Sequence, residues 1–146
     1  MTATEDQHRA QAVRDRYRAT FDAVPAGIEQ RLRVAQATGR LDVVEVIENL
    51  RRALLDDNPL GPRVQQLVHF GQLLALGRSG PARLHAGGAL RAGASMGDLV
   101  GVAETSLITA GMPAYSLGIE IIAELTGTPP GTPPTPAEGT GPAQQP

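Results

Sequence analysis

The sequence predicts an all-α fold, a bundle of six to seven helices, from three observations. The core has to be aliphatic, because hydrophobic residues make up 41% of the 146-residue chain but only 3% are aromatic and Trp is absent. Apolar residues recur at three- and four-residue spacing between breaks made by Gly, Pro and Asp. No β-hairpin signal occurs anywhere in the chain. Ala and Gly pack well between close helices, and the short connections imply antiparallel neighbours.

Thr4-Glu5-Asp6-Gln7 reads as a capping box that opens the first helix, on which Val13, Tyr17 and Phe21 fall at helical spacing. Pro25-Ala26-Gly27 interrupts it. The second helix is expected from about Pro25 to Thr38, with Ile28, Leu32 and Ala35 on one face and Gly39 at its end. The third covers Leu41 to about Leu55. Its inward face is expected to carry Val43, Ile47, Leu50 and Leu54, leaving Glu45 and Glu48 on a solvated arc. Asp56 to Pro59 stops it. Pro62 opens the fourth, with Val64, Leu67, Val68, Gly71, Leu74 and Ala75 as its apolar face and Gly77 at its close. The fifth runs from about Pro81 to Ala92. Ser95 caps a sixth helix that ends at Ala110, with Asp98 in its first turn. After Gly111-Met112-Pro113 a seventh reaches about Leu125. Residues 1–126 thus form one helical domain. Residues 127–146, rich in Pro, Gly and Thr, lack the apolar bulk to offset their ordering entropy and are expected to be a disordered tail.

Composition excludes several chemistries. There is no Cys, hence no disulfide, thiolate metal site or thiol nucleophile. All 13 basic residues are Arg, so no lysine can form a Schiff base. The abundance of Ala, Gly and Pro, with Arg replacing Lys, suggests a GC-rich bacterial genome. A net charge of −2 gives no general affinity for nucleic acid. The acidic N-terminus has no signal-peptide core, and no apolar run approaches the roughly 18 residues of a membrane span. A cytoplasmic protein without membrane contact is expected. Between Asp57 and Asp98 the chain has no acidic residue, but holds Arg63, Arg78, Arg83, Arg91, His69 and His85. This segment could give a pocket a positive field suited to a carboxylate, or could form a basic outer surface that pairs with acids from the N-terminal helices.

The run from Leu60 to Ile122 includes Leu60-Gly61-Pro62-Arg63, Ala75-Leu76-Gly77-Arg78, Leu84-His85, Ala89-Leu90, Gly93-Ala94 and Ala110-Gly111-Met112-Pro113-Ala114. It resembles the carboxymuconolactone decarboxylase family of the alkylhydroperoxidase-D-like superfamily. The resemblance implies an all-helical subunit that assembles into trimers or hexamers (a dimer is the fallback), with an active site near His85. Counting back from His85, the two cysteines of the redox branch fall at Arg78 and Pro81, and its Glu falls at Gln66. The chain therefore resembles the cysteine-free, non-redox branch. Thr105, Thr109 and Gln65 stand where family members often carry His, Tyr and Arg.

His85 is the leading catalytic candidate, because a neutral imidazole can move a proton near pH 7. Gly88, Ala89 and Ala92 leave its helix face nearly bare, which predicts a cavity beside it. Glu104, between Val100 and Ile108 on an apolar face, needs a partner. It is either an acid/base group beside His85 or, the favoured reading, half of an interface ion pair. Candidate substrate-binding residues are Arg78, as a bidentate carboxylate clamp or, slightly preferred, a plain surface arginine, with Gln66, His69 and Tyr115. His69 shares a stripe with Gln65 and Gln72 that suits a pocket wall or, preferred, a solvent or interface face. Tyr115 would orient a substrate or simply pack. No metal is expected, since the two histidines lack further ligands, and no cofactor is expected. The resemblance implies acid/base decarboxylation of a small anionic oxo- or lactone-bearing substrate. The alternatives are a repurposed pocket for cyclisation or isomerisation in natural-product biosynthesis, and a non-catalytic oligomeric binding protein.

Overall fold

The computed structural model describes residues 2–127, which form seven α-helices and no strand. They are α1 (Ala3–Phe21), α2 (Ala26–Thr38), α3 (Leu41–Leu55), α4 (Gly61–Ala75), α5 (Ser79–Arg91), α6 (Met96–Ala110) and α7 (Met112–Leu125). The expected tail lies, from residue 128 on, outside the described residues. Local chemistry sets the ends. The capping box of α1 is Thr2 with Glu5, two residues earlier than the sequence reading placed it. Ser95 and Asp98 make the same reciprocal bonds at α6. Gly39 closes α2 in the left-handed conformation at φ 65°, where a side chain would be strained.

The helices bury two separate clusters. Ala10, Val13, Tyr17, Phe21, Ile28, Leu32, Ala35, Leu41 and Val44 hold α1, α2 and α3 together. Phe70, Leu74, Ala82, Ala86, Ala89, Leu99, Ala103, Ala114 and Ile121 are central to the cluster of α4 to α7. Close helix approach explains the small residues. A Cβ on Gly118 of α7 would stand 2.7 Å from Ala103 Cβ of α6. Helix α5 joins the layers: Ala82, Ala86 and Ala89 pack into the second cluster, while Leu84 packs against the first.

Two helix faces differ from expectation. On α3 the buried residues are Leu41, Val44 and Glu48, whereas Ile47, Leu50 and Leu54 are exposed. Leu41, Val44, Glu48, Arg51 and Leu55 share one stripe, and its two charged members disguised it as the solvated side. Glu48 is therefore not solvated: it is 4% exposed. Glu45 is half-buried and paired with Arg9 (Nη2–Oε2 2.6 Å). On α4, Gln65, Phe70 and Leu74 are buried, while Val64 and Val68 stand exposed.

Candidate functional site

His85 sits on the inward side of α5, half-buried where the two layers meet. Its ring lies edge-on to Phe21 of α1 (centroids 5.4 Å apart) and to His69 of α4 (4.7 Å). Phe21 continues to Tyr17 at 6.2 Å. Four rings thus run from α1 through α5 to α4, using two of the chain's four Phe and Tyr residues. His69 is not on a solvent stripe. Its Nδ1 is buried and has no hydrogen-bond partner among the described residues, an arrangement that costs free energy unless another group fills it.

Gln66 holds the other side of His85, its Oε1 2.7 Å from Nδ1. The carboxamide oxygen accepts from Nδ1–H, which fixes the tautomer and leaves the Nε2 lone pair available. Gly88 makes this contact possible. A Cβ there would stand 2.7 Å from Gln66 Oε1 and 3.5 Å from Phe21 Cε1. The small residues after His85 therefore do not leave the empty space expected on that face. Gln66 fills the place over Gly88, and Ala89 is buried in the core.

The open space lies towards α1 and α3. An inner chamber of ≈ 200 Å³ is lined by Arg16, Tyr17, Phe21, Glu48, Arg51, Arg52, Leu55, Gln66, His69 and His85, among others. An outer cavity of ≈ 580 Å³ shares Arg51, Leu55, His69 and His85 with it. Within the inner chamber, Tyr17 Oη donates to Glu48 Oε1 at 3.0 Å. Arg31 Nη1 is 3.6 Å from the same oxygen, and Arg51 Nε is 3.8 Å from Oε2. Arg51 also lies over the Tyr17 ring, 5.7 Å from its centroid. Burial raises the Tyr17 phenol above its ordinary value, so it stays a donor at neutral pH. Burial also pushes His85 down to about 4, with smaller contributions from His69 and Arg51. His69 is lowered by burial and then by Arg51. Both imidazoles are neutral near pH 7.

The remaining candidates are elsewhere. Glu104 is exposed on α6 and lines neither chamber, so the structure does not bring it to His85. Arg78 is exposed at the N-cap of α5 and also lines neither. Tyr115 packs against the α4–α7 cluster. The acid-free segment is not the source of positive charge in the chamber. Arg63 pairs with Asp98 (2.9 Å), Arg83 with Glu120 (3.0 Å) and Glu124 (2.6 Å), and Arg91 donates to Thr20 O (3.3 Å). The chamber's cations are Arg16 from α1 and Arg51 and Arg52 from α3. Sequence reasoning missed these, together with Tyr17 and Glu48. One usable signal was Tyr17, a phenol on an otherwise apolar face that needs a buried partner. Among the described residues, no three His, Cys, Asp or Glu side chains converge as metal ligands would.

The family model described as the carboxymuconolactone decarboxylase family matches residues 41–124, more than half of the chain. No curated protein and no solved structure gives a significant match. The matched segment begins with α3, so α1 and α2 precede it.

Proposed function

Since this chain belongs to the carboxymuconolactone decarboxylase family, we propose that it is a non-redox enzyme acting by acid/base catalysis on a small anionic substrate held in the inner chamber. One observation carries the reading: two neutral histidines in ring contact, 4.7 Å apart, in a chamber that three guanidinium groups line against the two carboxylates of Glu48 and Asp56. At ≈ 200 Å³ the chamber lies below the roughly 300–1,000 Å³ of drug-sized pockets, which suits a compact substrate. Arg51 is the chamber cation best placed to take a carboxylate. Its nearest acid contact is a loose 3.8 Å, and its side chain is 42% exposed.

The chemistry follows from the charge balance. A histidine buried neutral becomes a better proton carrier when an anion arrives, because opposite charge favours the imidazolium. In decarboxylation the C–CO₂⁻ bond breaks, CO₂ leaves, and the electron pair moves to an oxo or lactone carbonyl as an enolate. With the anion bound, His85 Nε2 takes up a proton from solvent; the imidazolium delivers it to the carbon and returns to its neutral form, while Gln66 keeps the ring oriented through Nδ1–H. The Tyr17 hydroxyl can turn from Glu48 to donate to the enolate oxygen, which stabilises charge as it develops.

His85→Gln is expected to lower turnover of such an acid by at least about 100-fold, within the range for general acid–base groups. His8→Gln, on the exposed side of α1, serves as the control and should leave turnover unchanged. Wild-type turnover by the His85 variant would remove proton transfer from the mechanism. The apolar walls made by Phe21 and Leu55 support the second reading, a cyclase or isomerase that works by confining its substrate, and that result would favour it.

A further inference from the structure

We propose that the outer cavity is a second binding compartment, which takes a hydrocarbon extension of the substrate whose anionic end sits at Arg51. This rests on the function proposed above and narrows its substrate class to acids with an apolar tail. The two compartments adjoin at four side chains, Arg51, Leu55, His69 and His85, which line both. The charged groups are concentrated in the inner one, with Arg16, Glu48, Arg52 and Asp56 besides Arg51, whereas the polar residues confined to the outer one are the uncharged Asn58, Gln65 and Gln72. The outer one is nearly three times larger, at ≈ 580 Å³ against ≈ 200 Å³, and Leu54, Leu60, Val68, Leu73 and Leu76 form much of its wall.

Part of that wall is left open among the described residues. Leu54, Leu60 and Leu76 are 59%, 51% and 71% exposed, and they line the cavity together with His69 and His85. Apolar surface left in water costs free energy in proportion to its area, and an alkyl chain laid along these leucines would recover it. Arg51 is suited to the junction. It is held to Glu48 only at 3.8 Å and to Tyr17 by ring contact, so it can grip a carboxylate while the rest of the ligand passes Leu55 into the outer compartment.

Calorimetric titration of the full chain with straight-chain carboxylates, butanoate to decanoate, tests this. Affinity should rise about two- to fourfold per added methylene once the alkyl chain enters the outer compartment. Leu60→Gln and Leu76→Gln alter exposed side chains and should flatten that rise while leaving the shortest acids unaffected. Arg51→Gln should weaken the whole series equally, which separates the anion site from the tail site. Short acids that bind through Arg51 with no dependence on chain length would overturn the inference while leaving the proposed function standing. Failure of every acid to bind would overturn it too. A flat series, with an oligomer that Leu76→Gln dissociates in sedimentation velocity, would assign the leucine face to a second copy of the chain instead.

Discussion

His85 faces two opposing demands: it is buried neutral, yet the proposed function asks it to carry a proton. Its folded value of about 4 lies below the ordinary 6.5. The unfolded chain therefore binds more protons than the folded one between those values. Stability is full above about pH 6.5 and is lost as pH falls towards 4. Urea midpoints measured across that window should rise with pH, and replacing both His85 and His69 with Gln should flatten the curve. Gly88 sets the second expectation. Gly88→Ala adds helix propensity worth up to about 1 kcal/mol, but its Cβ needs the space of Gln66 Oε1, 2.7 Å away. The obstructing atom is the end of a flexible side chain, so the carboxamide moves and the fold survives. The variant should keep its thermal midpoint and lose the Nδ1–H tautomer preference of His85 in nitrogen NMR. An unchanged tautomer balance would count against Gln66 as its orienting partner.

Helix α3 shows how much of an element can be read from sequence and where the reading stops. Its limits, Leu41 to Leu55, follow from Gly39 before it and the Asp56-to-Pro59 break after it. Its buried face does not, because Val43, Ile47, Leu50 and Leu54 make a cleaner apolar stripe than the one the fold uses. Periodicity identifies an amphipathic helix but cannot tell which of two adjacent faces meets a neighbour when a chamber calls for polar residues on the inner one. Glu48→Leu discriminates between the two orientations. With Glu48 buried against Tyr17 and Arg31, the change leaves polar partners unsatisfied and should cost about 1–3 kcal/mol by denaturant unfolding. On a solvated arc it would fall within about 0.5 kcal/mol of wild type. Gln66 was found by contrast through its distance from His85 along the family pattern, a signal that α1 and its Tyr17, ahead of the matched segment, could not supply.

The seven helices of the described residues were legible, as a bundle of six to seven, because caps and breaks are local. Their division into α1–α3 and α4–α7 was not, since both clusters are built from the same aliphatic stripes and nothing local marks which stripe meets which. Of the two charge readings, the positive pocket failed for the same reason, while the paired outer surface holds with its acids supplied from α6 and α7 and not from the N-terminal helices. The stretch from Asp57 to Asp98 lacks acids, but α6 and α7 return to its arginines with Asp98, Glu120 and Glu124. The meeting of the two layers at the inner chamber has a practical corollary. A molecule lodged there touches α1, α3, α4 and α5 at once and acts as a rivet between separately packed halves. At 100 times its dissociation constant, such a ligand adds about 2.7 kcal/mol to the folded state. A melting-temperature screen of carboxylic acids therefore detects candidate substrates before any product is known. The hits should also slow tryptic cleavage after Arg14 and Arg18, because α1 must lift away before a protease can grip it.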